Sequence, residues 1–380
     1  MGLSGAGEGH GSGGMDQEAL RAKTLRALGL ERDGRFVAAR QIYEEICGIQ
    51  PPFPLAHYLF GCFKLLTGEY AGAWPHFQRR LDDPFFTENP LMNLPGPRWD
   101  GTNAPAKTLL IHIDQGIGDA VLTARYVPWA AARVGRVVLL VQNGFRGLFE
   151  GLGDFEIHEL SETLPPYDMK IDFGSLPAIF AAAPGTIPTA AYIGADATAI
   201  DRWRRELGEG FKVGIVWQGN PGFARDRERS IPILALKPLL TLPGTRFFSL
   251  QVGPDAARLL GRLPPPIEVV DLAPILTAPG DDGTRNLRAI VANLDLVIGI
   301  DSMVVNLAAA MGRPVWVLAP SVPEWRWTTV TGDGDTATFG PSPWYPTARL
   351  FRQRRRYDLS AAVRDAAQAL AEHLGLAGRP

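Results

Sequence analysis

The chain has 380 residues, 46% of them hydrophobic, which is enough for two or three domains with cores of their own. Its 38 basic and 40 acidic residues give a formal net charge of -2, so the composition excludes a general attraction to nucleic acid or to an anionic membrane surface. No stretch of about 18 apolar residues occurs, which excludes a transmembrane segment.

Residues 1–14 are rich in glycine and serine and lack the apolar run of a secretory signal. We expect this segment to be disordered, with Met15 as an alternative start, because it cannot bury a core. The two cysteines, Cys47 and Cys62, lie in apolar helical context with no nearby histidine at metal-ligand spacing. They indicate reduced thiols in a cytoplasmic protein, and no metal site is predicted.

Residues 15–85 contain an internal repeat. At an offset of 34 positions, small and aromatic residues recur in the same order: Ala27, Gly34, Phe36, Ala39 and Tyr43 match Gly61, Gly68, Tyr70, Ala73 and Phe77. This pattern resembles tetratricopeptide repeats, although the Trp and Leu usual in their first helix are absent. Two repeats leave an apolar face uncovered, so we expect them to pack on the following domain. They predict either a docking surface for a protein partner or a helical cap that stabilises the chain.

The pattern changes class after this region. Residues 86–107 are rich in Pro, Asn, Gly and Trp without helical periodicity, and we interpret them as a linker. From Thr108 onward apolar strands alternate with amphipathic helices, which predicts an N-terminal Rossmann-like domain over residues 108–205.

A glycine turn in this domain carries Asp114, Gln115, Gly116, Gly118 and Asp119. The turn lacks the third glycine of a dinucleotide-binding motif, and a carboxylate at the start of the following helix would repel a phosphate. We therefore expect the turn to face a neutral group such as the hydroxyl of an acceptor. The alternative is that Asp119 only caps the N-terminus of the helix.

A C-terminal Rossmann-like domain is predicted over residues 206–380, closed by an amphipathic helix. Its first strand ends in a loop with Gln218, Gly219 and Asn220, followed by arginines that include Arg229. Glycines allow backbone amides to point inward and arginines supply positive charge, which suits a diphosphate. A solvated turn is the alternative interpretation of this loop.

The clearest strand-helix-strand unit has its strands at Leu296–Ile300 and Val315–Ala319. Between them, Asp301, Ser302 and Met303 begin the helix, where free N–H groups can bind an anion. Ligands of open parallel sheets bind beyond the carboxyl ends of the strands. The predicted fold class is therefore α/β, a GT-B-type pair of Rossmann-like domains with an all-α tetratricopeptide-like region in front of it.

Several long phrases also resemble a known family: IDQGIGDAVLTARYVP, VGIVWQGNPGFARDRERSIP, FFSLQVG, DLVIGIDSMVVNLAAAMGRPVWVL, and EWRW with SPWYPTARLFRQ. Between about Trp99 and Gln353 they resemble the heptosyltransferase-type glycosyltransferase domains that bacteria fuse to tetratricopeptide repeats. These domains are similar in plan to O-GlcNAc transferases and include flagellin glycosyltransferases.

The resemblance implies roles for individual residues. It implies that Asp119 is the catalytic base and that Arg229 contacts the donor phosphate. It also implies that Gln251 touches the nucleotide, and that Asp301 and Ser302 belong to the site of the donor diphosphate.

The chain departs from the family at Asn306, where histidine is usual, and at Ala309, where glycine is usual. Asparagine can donate a hydrogen bond to phosphate but cannot carry a proton or a positive charge. This departure implies an altered donor or a weakened enzyme.

Together these features predict an inverting glycosyltransferase that moves a sugar from a nucleotide-diphosphate donor to a hydroxyl acceptor. The acceptor would be a protein such as flagellin, or a surface glycan or lipopolysaccharide, and no cofactor or metal is required because arginine and helix-dipole charge can replace the metal. The alternative is a non-catalytic scaffold whose repeats recruit a partner, which Asn306 favours. A Rossmann-type dehydrogenase is disfavoured, because neither glycine turn is followed by the acid that binds ribose.

Overall fold

The computed structural model describes residues 17–222, 225–253, 255–280 and 282–376, apart from the side chain of Phe85. The predicted disorder of residues 1–14 lies outside the described residues. The described chain folds into an N-terminal helical region followed by two parallel β-sheets with helices packed on them. Within these ranges, no helix is both long enough and apolar enough to cross a bilayer.

The helical region consists of α1 (Gln17–Arg32), α2 (Phe36–Cys47), α3 (Pro54–Leu66), α4 (Tyr70–Gln78) and the short α5 (Pro84–Thr87). The turns after α1 and α3 contain Gly34 and Gly68, whose φ angles are 77° and 83°, a region that favours glycine. Where α3 crosses α4, a Cβ at Gly61 would lie 2.5 Å from the backbone nitrogen of Phe77. The 34-residue repeat therefore corresponds to two helical hairpins with the same turn conformation.

The first sheet has four parallel strands in the order β3-β2-β1-β4. The last four residues of β1 are all buried, as expected for a parallel sheet covered on both faces. The helix expected after the glycine turn is split, because Pro128 has no N–H to donate and lies in the first turn of α7. The elements are β1 (Ala104–His112), α6 (Ile117–Thr123), α7 (Val127–Ala131), β2 (Val134–Val141), α8 (Arg146–Phe149), β3 (Glu156–Glu159), β4 (Met169–Asp172) and α9 (Leu176–Ile179).

The helix α10 (Ala197–Leu207) leads to a second sheet of six parallel strands in the order β12-β9-β8-β5-β6-β7. Its β8, α16 and β9 confirm the predicted strand-helix-strand unit, and the closing helix α17 packs on β9 and β12. The elements are β5 (Phe211–Val216), α11 (Asp226–Arg229), α12 (Lys237–Leu240), β6 (Thr245–Ser249), α13 (Ala256–Leu260), β7 (Val269–Asp271), α14 (Ala273–Leu276), α15 (Asp282–Ala292), β8 (Leu296–Gly299), α16 (Met303–Ala310), β9 (Val315–Ala319), β10 (Val330–Thr331), β11 (Thr338–Phe339), β12 (Ala348–Arg352) and α17 (Ser360–His373).

The helical region packs against both sheet domains. Trp74 of α4 donates a hydrogen bond from Nε1 to the carbonyl oxygen of Ala182 in the first domain, at 2.8 Å. Trp344 of the second domain donates from Nε1 to the hydroxyl of Tyr70, at 3.0 Å. The ring of Trp325 lies edge-on to Trp74 with 6.5 Å between the centroids. This aromatic cluster covers an apolar face that two repeats cannot cover by themselves.

Two predicted boundaries differ from the structure. The strand β1 begins at Ala104 rather than Thr108, and the predicted linker 86–107 also contains a 3-10 helix at Pro90–Asn93. The helix α10 continues to Leu207, into the range assigned to the second domain. These ends depend on pairing and packing with distant residues, which local periodicity does not report. The division of the chain into the predicted domains stays a prediction.

We predict opposite effects for two glycine-to-alanine substitutions in helices. Gly61→Ala would place a Cβ against the backbone of Phe77 and should destabilise the protein by about 1–3 kcal/mol, the usual cost of overpacking. In Gly29→Ala no atom lies within 4 Å of the new Cβ, so the higher helix propensity of alanine should stabilise the protein by up to about 1 kcal/mol. Thermal unfolding of both variants measures the two signs. A Gly61→Ala protein as stable as the parent would contradict the close crossing of α3 and α4.

Candidate functional site

A cleft of about 750 Å³ opens where strands of both sheets end. Parallel strands bring the loops at their carboxyl ends to one edge, so the turn after β1 meets the loops after β5, β6 and β8. All predicted site residues except one line this cleft: Gln115, Gly116, Gly118, Asp119, Gln218, Gly219, Asn220, Arg229, Gln251, Asp301, Ser302, Met303 and Asn306.

Asp119 lies in the first turn of α6 and has a protein partner on each carboxylate oxygen. Its Oδ2 accepts a hydrogen bond from the N–H of Gly116 at 3.2 Å, so Asp119 does cap the helix. Its Oδ1 accepts a hydrogen bond from Arg326 of the second domain. A carboxylate oxygen has two lone pairs, so the capping contact and the ion pair leave Asp119 able to accept a further hydrogen bond within the cleft.

Arg326 is a cleft residue that no sequence pattern predicted. Burial by itself would lower the pKa of its guanidinium, but three carboxylates around it raise that pKa above its usual value: Asp119, Asp301 and Glu324. The sequence EWRW, which contains Arg326, offered one signal, an arginine between two tryptophans. The Arg326 guanidinium lies over the ring of Trp325, 5.4 Å from its centroid. Its partner Asp119 lies 207 positions away, and no local pattern connects the two.

The start of α16 forms the wall of the cleft on the side of the second domain. Ser302 is the N-cap of this helix, and its Oγ accepts from the N–H of Val305 at 3.5 Å. Burial raises the pKa of the Asp301 carboxyl above its ordinary value. Because the residues from Asp301 to Val304 line the cleft, the positive end of the α16 dipole is part of its surface.

Arg229 ends α11 and lies against the start of α16. Its Nη1 donates to the backbone carbonyl of Asp301 at 2.7 Å, and its Nε donates to Asp226 Oδ1 at 3.1 Å. Glycine fits at position 219 because a Cβ there would lie 2.3 Å from Asp226 Oδ1 and 2.4 Å from Arg229 Nη2. The structure therefore brings the predicted arginine, the glycine loop and the helix N-terminus together.

Gln251 holds the glycine loop in place. Its Oε1 accepts hydrogen bonds from the backbone N–H groups of Trp217 at 3.1 Å and Gln218 at 2.9 Å. Its Nε2 donates to the carbonyl oxygen of Val252 at 3.1 Å. These bonds show a positioning role that the sequence did not indicate, and contact with a nucleotide stays a prediction.

Asn306 is buried, and both ends of its amide are bonded to protein atoms. Its Nδ2 donates to Asp301 Oδ1 at 3.2 Å and to the carbonyl oxygen of Ser302 at 2.9 Å, and its Oδ1 accepts from the hydroxyl of Tyr345 at 3.3 Å. A Cβ at Gly118 would lie 3.4 Å from Nδ2, because α6 and α16 pack directly on each other. Asn306 therefore orients Asp301 at the point where the two sheet domains meet.

Asp114 is the predicted site residue that does not line the cleft, and its role in the acceptor-side loop stays a prediction. It is buried against Arg80 of the helical region, which donates to its Oδ2 at 3.0 Å and also contacts Asp172. Burial, together with the charge of Asp172, raises the pKa of Asp114 to about 7. Burial would likewise raise the pKa of Asp172, but Arg80 and Arg98 hold it below its usual range. This ion pair joins two regions of the fold, so spacing along the chain could not indicate it.

The helical region reaches the cleft through Tyr58 of α3. The Tyr58 hydroxyl donates to Gln115 Oε1 at 3.3 Å, beside the loop that carries Asp119. Its ring contacts Phe77 and Phe86, with 5.3 Å and 5.4 Å between the centroids. Tyr58 had no signal in the sequence because it falls outside the recurring positions of the repeat. The cleft is thus built from all three regions of the chain.

Each of the three arginines that line the cleft has a carboxylate partner. Three arginines and four acidic residues contribute to its wall: Arg225, Arg229, Arg326, Asp119, Glu228, Asp301 and Glu324. Arg225, for example, donates from Nε to Glu228 at 3.1 Å and also contacts Glu324. An anionic ligand would therefore bind by taking over hydrogen bonds that these carboxylates and carbonyls now accept.

Spacing along the sequence indicated no histidine ligand near the cysteines, but the fold brings two histidines to Cys47. Across the described ranges, one group of three or more side chains has potential metal-ligand atoms close together, and it consists of Cys47, His57 and His76 in the helical region. The folding of α2, α3 and α4 against one another creates this group, so spacing along the chain did not reveal it. Cys62 is also a free thiol.

Comparison with known proteins gives one sequence relative and several similar folds. No family model matches the chain. Protein FlbA of Caulobacter vibrioides is 28% identical over 315 residues, which cover 76% of this chain and 50% of FlbA. The chain thus spans about half the length of this curated relative.

Among solved structures, the glycosyl transferase family 9 protein from Veillonella parvula has a TM-score of 0.50 at 10% identity, over 73% of this chain and 99% of its own. The ADP-heptose lps heptosyltransferase II of E. coli has a TM-score of 0.48 at 13% identity, over 70% and 99%. The similarity to the Veillonella parvula protein is a similarity of fold. The two parallel sheets with their helices match a GT-B-like glycosyltransferase fold, as predicted. The tetratricopeptide character of the helical region stays a prediction.

We predict that Arg80→Leu destabilises the protein by about 3–5 kcal/mol, because the substitution leaves the buried Asp114 without its counter-ion and leaves Asp172 with Arg98 alone. Arg79→Leu is the matched control, since the side chain of Arg79 is 41% exposed and pairs with Asp82 at the surface. Loss of that exposed pair should change stability by less than about 1 kcal/mol. Denaturant unfolding compares the two variants, and equal stabilities would show that Arg80 does not anchor the helical region.

Proposed function

We propose that the chain is a glycosyltransferase that moves a sugar, with inversion, from a nucleotide-diphosphate donor to the hydroxyl group of an acceptor. The observation that carries the proposal is a single cleft shared by Asp119 of the first sheet domain and by Arg229 and the start of α16 of the second. A carboxylate can accept the proton of the acceptor, while arginine and a helix N-terminus can stabilise a departing diphosphate. The GT-B-like fold supports this proposal.

Asp119 is the proposed base. The acceptor hydroxyl would donate its hydrogen bond to the carboxylate, and its oxygen would bond to the anomeric carbon of the sugar. The bond from that carbon to the diphosphate oxygen breaks at the same time, its electron pair stays on the diphosphate, and the proton passes to Asp119. Attack from the side opposite the leaving group inverts the anomeric centre. A positioned base contributes about 10²- to 10⁴-fold to such a reaction.

The departing diphosphate gains negative charge as the bond breaks, and the second domain offers groups to stabilise it. Arg229 and the N–H groups that follow Ser302 lie on one wall of the cleft. Electrostatic stabilisation of this kind is usually the largest single contribution to catalysis. We propose that these groups neutralise the diphosphate in place of a divalent ion, and that Gln218, Gly219 and Asn220 contact the donor beside them.

The helical region suggests how the acceptor is selected. Tyr58 lines the cleft next to Gln115, so an acceptor bound near Asp119 would also contact the helical region. We propose a protein acceptor, for which the tetratricopeptide-like helices would provide the additional docking surface. A surface glycan or lipopolysaccharide is the other acceptor class that fits the open cleft.

One observation favours a non-catalytic scaffold as a second candidate function. Asn306 stands where the resembled family has histidine, and its buried amide is bonded to Asp301, Ser302 and Tyr345 rather than offered to a ligand. A scaffold would recruit its partner through the helical region without using Asp119. The two functions differ in whether the chain turns over a nucleotide sugar.

For the enzyme we predict that Asp119→Asn lowers the rate of sugar transfer by about 10²- to 10⁴-fold, because the amide cannot take up the proton. Binding of the nucleoside diphosphate should change little, since Asp119 lies on the acceptor side. Transfer from a panel of nucleoside-diphosphate sugars measures the rate, and calorimetry with the matching diphosphates measures binding. An unchanged rate in a variant that binds normally would remove Asp119 from its proposed role.

A second prediction concerns the donor. Arg229→Met should weaken binding of the nucleoside diphosphate by about 10- to 100-fold, the effect of losing one charge-assisted hydrogen bond. Arg227→Met is the matched control, because Arg227 belongs to the same helix, is exposed and does not line the cleft. Both variants lose one positive charge, so calorimetry separates a contact at the site from a general charge effect. Equal weakening in the two variants would contradict the proposed diphosphate site.

A further inference from the structure

Three potential metal ligands from three different helices meet in the helical region. Cys47 ends α2, His57 lies in the first turn of α3 and His76 lies in α4, and their ligand atoms are all within 4.8 Å of one another. The Nδ1 atoms of the two imidazoles are 2.9 Å apart, with 4.9 Å between the ring centroids and 20° between the planes. The rings therefore meet edge to edge. None of the three residues lines the cleft, so no step of the proposed sugar transfer uses them.

We propose that Cys47, His57 and His76 bind one Zn²⁺ ion, with water as the fourth ligand. Thiolate and imidazole are the ligands that Zn²⁺ prefers, and three protein ligands with one open position are a common zinc arrangement. Bonds of about 2.0–2.3 Å in a tetrahedron place ligand atoms roughly 3.3–3.8 Å apart. The imidazole nitrogens would have to separate by about half an ångström from their present distance, which a small rotation of the rings allows.

The histidines are already in the protonation state that a metal requires. Burial, together with the nearby His57 and Lys64, lowers the pKa of His76 to about 4. Burial and Arg79 also lower the pKa of His57. Neutral imidazole binds metal through a nitrogen lone pair, so protons do not compete at neutral pH. The buried Nε2 of His57 has no hydrogen-bond partner in the part of the chain that the structure describes, so it can bind a metal without breaking a bond, whereas Nδ1 would exchange its contact with His76 for the metal.

The thiol and its surroundings set the conditions for binding. Burial raises the pKa of Cys47 to about 12, against the influence of the Lys64 ammonium, so the free thiol is protonated and unreactive. Zn²⁺ would displace this proton, and binding should strengthen as the pH rises. The charge of Lys64 is partly balanced by Glu69, 3.5 Å away.

A metal at this position would join the two helical hairpins. The ion would hold α2 of the first hairpin to α3 and α4 of the second, in a region with too few repeats to form a large core. The ion would stabilise the wall of the cleft that carries Tyr58, and it would take no part in the proposed sugar transfer.

Cobalt titration of the purified full chain tests the site, because tetrahedral Co²⁺ reports its ligands by absorption. We expect one equivalent of Co²⁺ to produce a thiolate-to-cobalt charge-transfer band, and Zn²⁺ to displace the cobalt. Cys47→Ser should abolish the band, and Cys62→Ser, which removes the other thiol, should keep it. The absence of the band in the parent protein, or its persistence in Cys47→Ser, would overturn the proposal.

Thermal unfolding with and without Zn²⁺ is an independent measurement. Binding to the folded chain alone should raise the Tm of the parent protein and of Cys62→Ser. His57→Gln should lose the increase, with affinity reduced at least about tenfold, and far-UV circular dichroism checks that this variant is folded. An equal increase in His57→Gln and the parent would show that Zn²⁺ binds elsewhere and would contradict the site.

Discussion

A buried guanidinium fixes the position of the helical region on the first sheet. Arg80 has no exposed surface and lies between Asp114 and Asp172. Asp172 ends β4, and Asp114 lies just after the end of the neighbouring strand β1. Two buried carboxylates so close together could not both remain ionised without a counter-ion, because desolvation and mutual repulsion act in the same direction. The turn that begins at Asp114 also carries Asp119. The same contact therefore sets the position of the helices and of the acceptor side of the cleft.

The two sheet domains meet through a second set of buried contacts. Arg326 of one domain pairs with Asp119 of the other, and Asn306 packs against Gly118 where α6 crosses α16. Each of the three arginines in the cleft already has a carboxylate partner. The affinity for an anion at Arg229 would therefore depend on how much stronger the contacts of the anion are than the protein contacts that it replaces. The number of arginines nearby would not determine that affinity. The close packing of α6 on α16 holds the base and the donor groups in one arrangement, as a preorganised site requires.

The helical region contributes to the site instead of standing apart from it. Its Tyr58 forms part of the cleft wall, and its aromatic side chains pack on both sheet domains. Two hairpins have little core of their own, so this region depends on contacts with the rest of the chain. The cluster of Cys47, His57 and His76 lies on three of its helices and offers a second means of holding the hairpins together.

The sequence by itself determined the features that act within one element. Short apolar runs predicted β8 and β9 at their positions, and the recurring glycines predicted the turns of the two hairpins, because strands, helices and turns respond to neighbouring residues. The tertiary structure alone decided which distant side chains pair. Arg326 meets Asp119, Arg80 removes Asp114 from the cleft, and Cys47 comes to lie beside two histidines. Each of these contacts forms where separate elements pack and remove polar side chains from water. Such side chains need a hydrogen-bond or ionic partner only after the elements have packed, so neighbouring residues in the sequence do not indicate the partner.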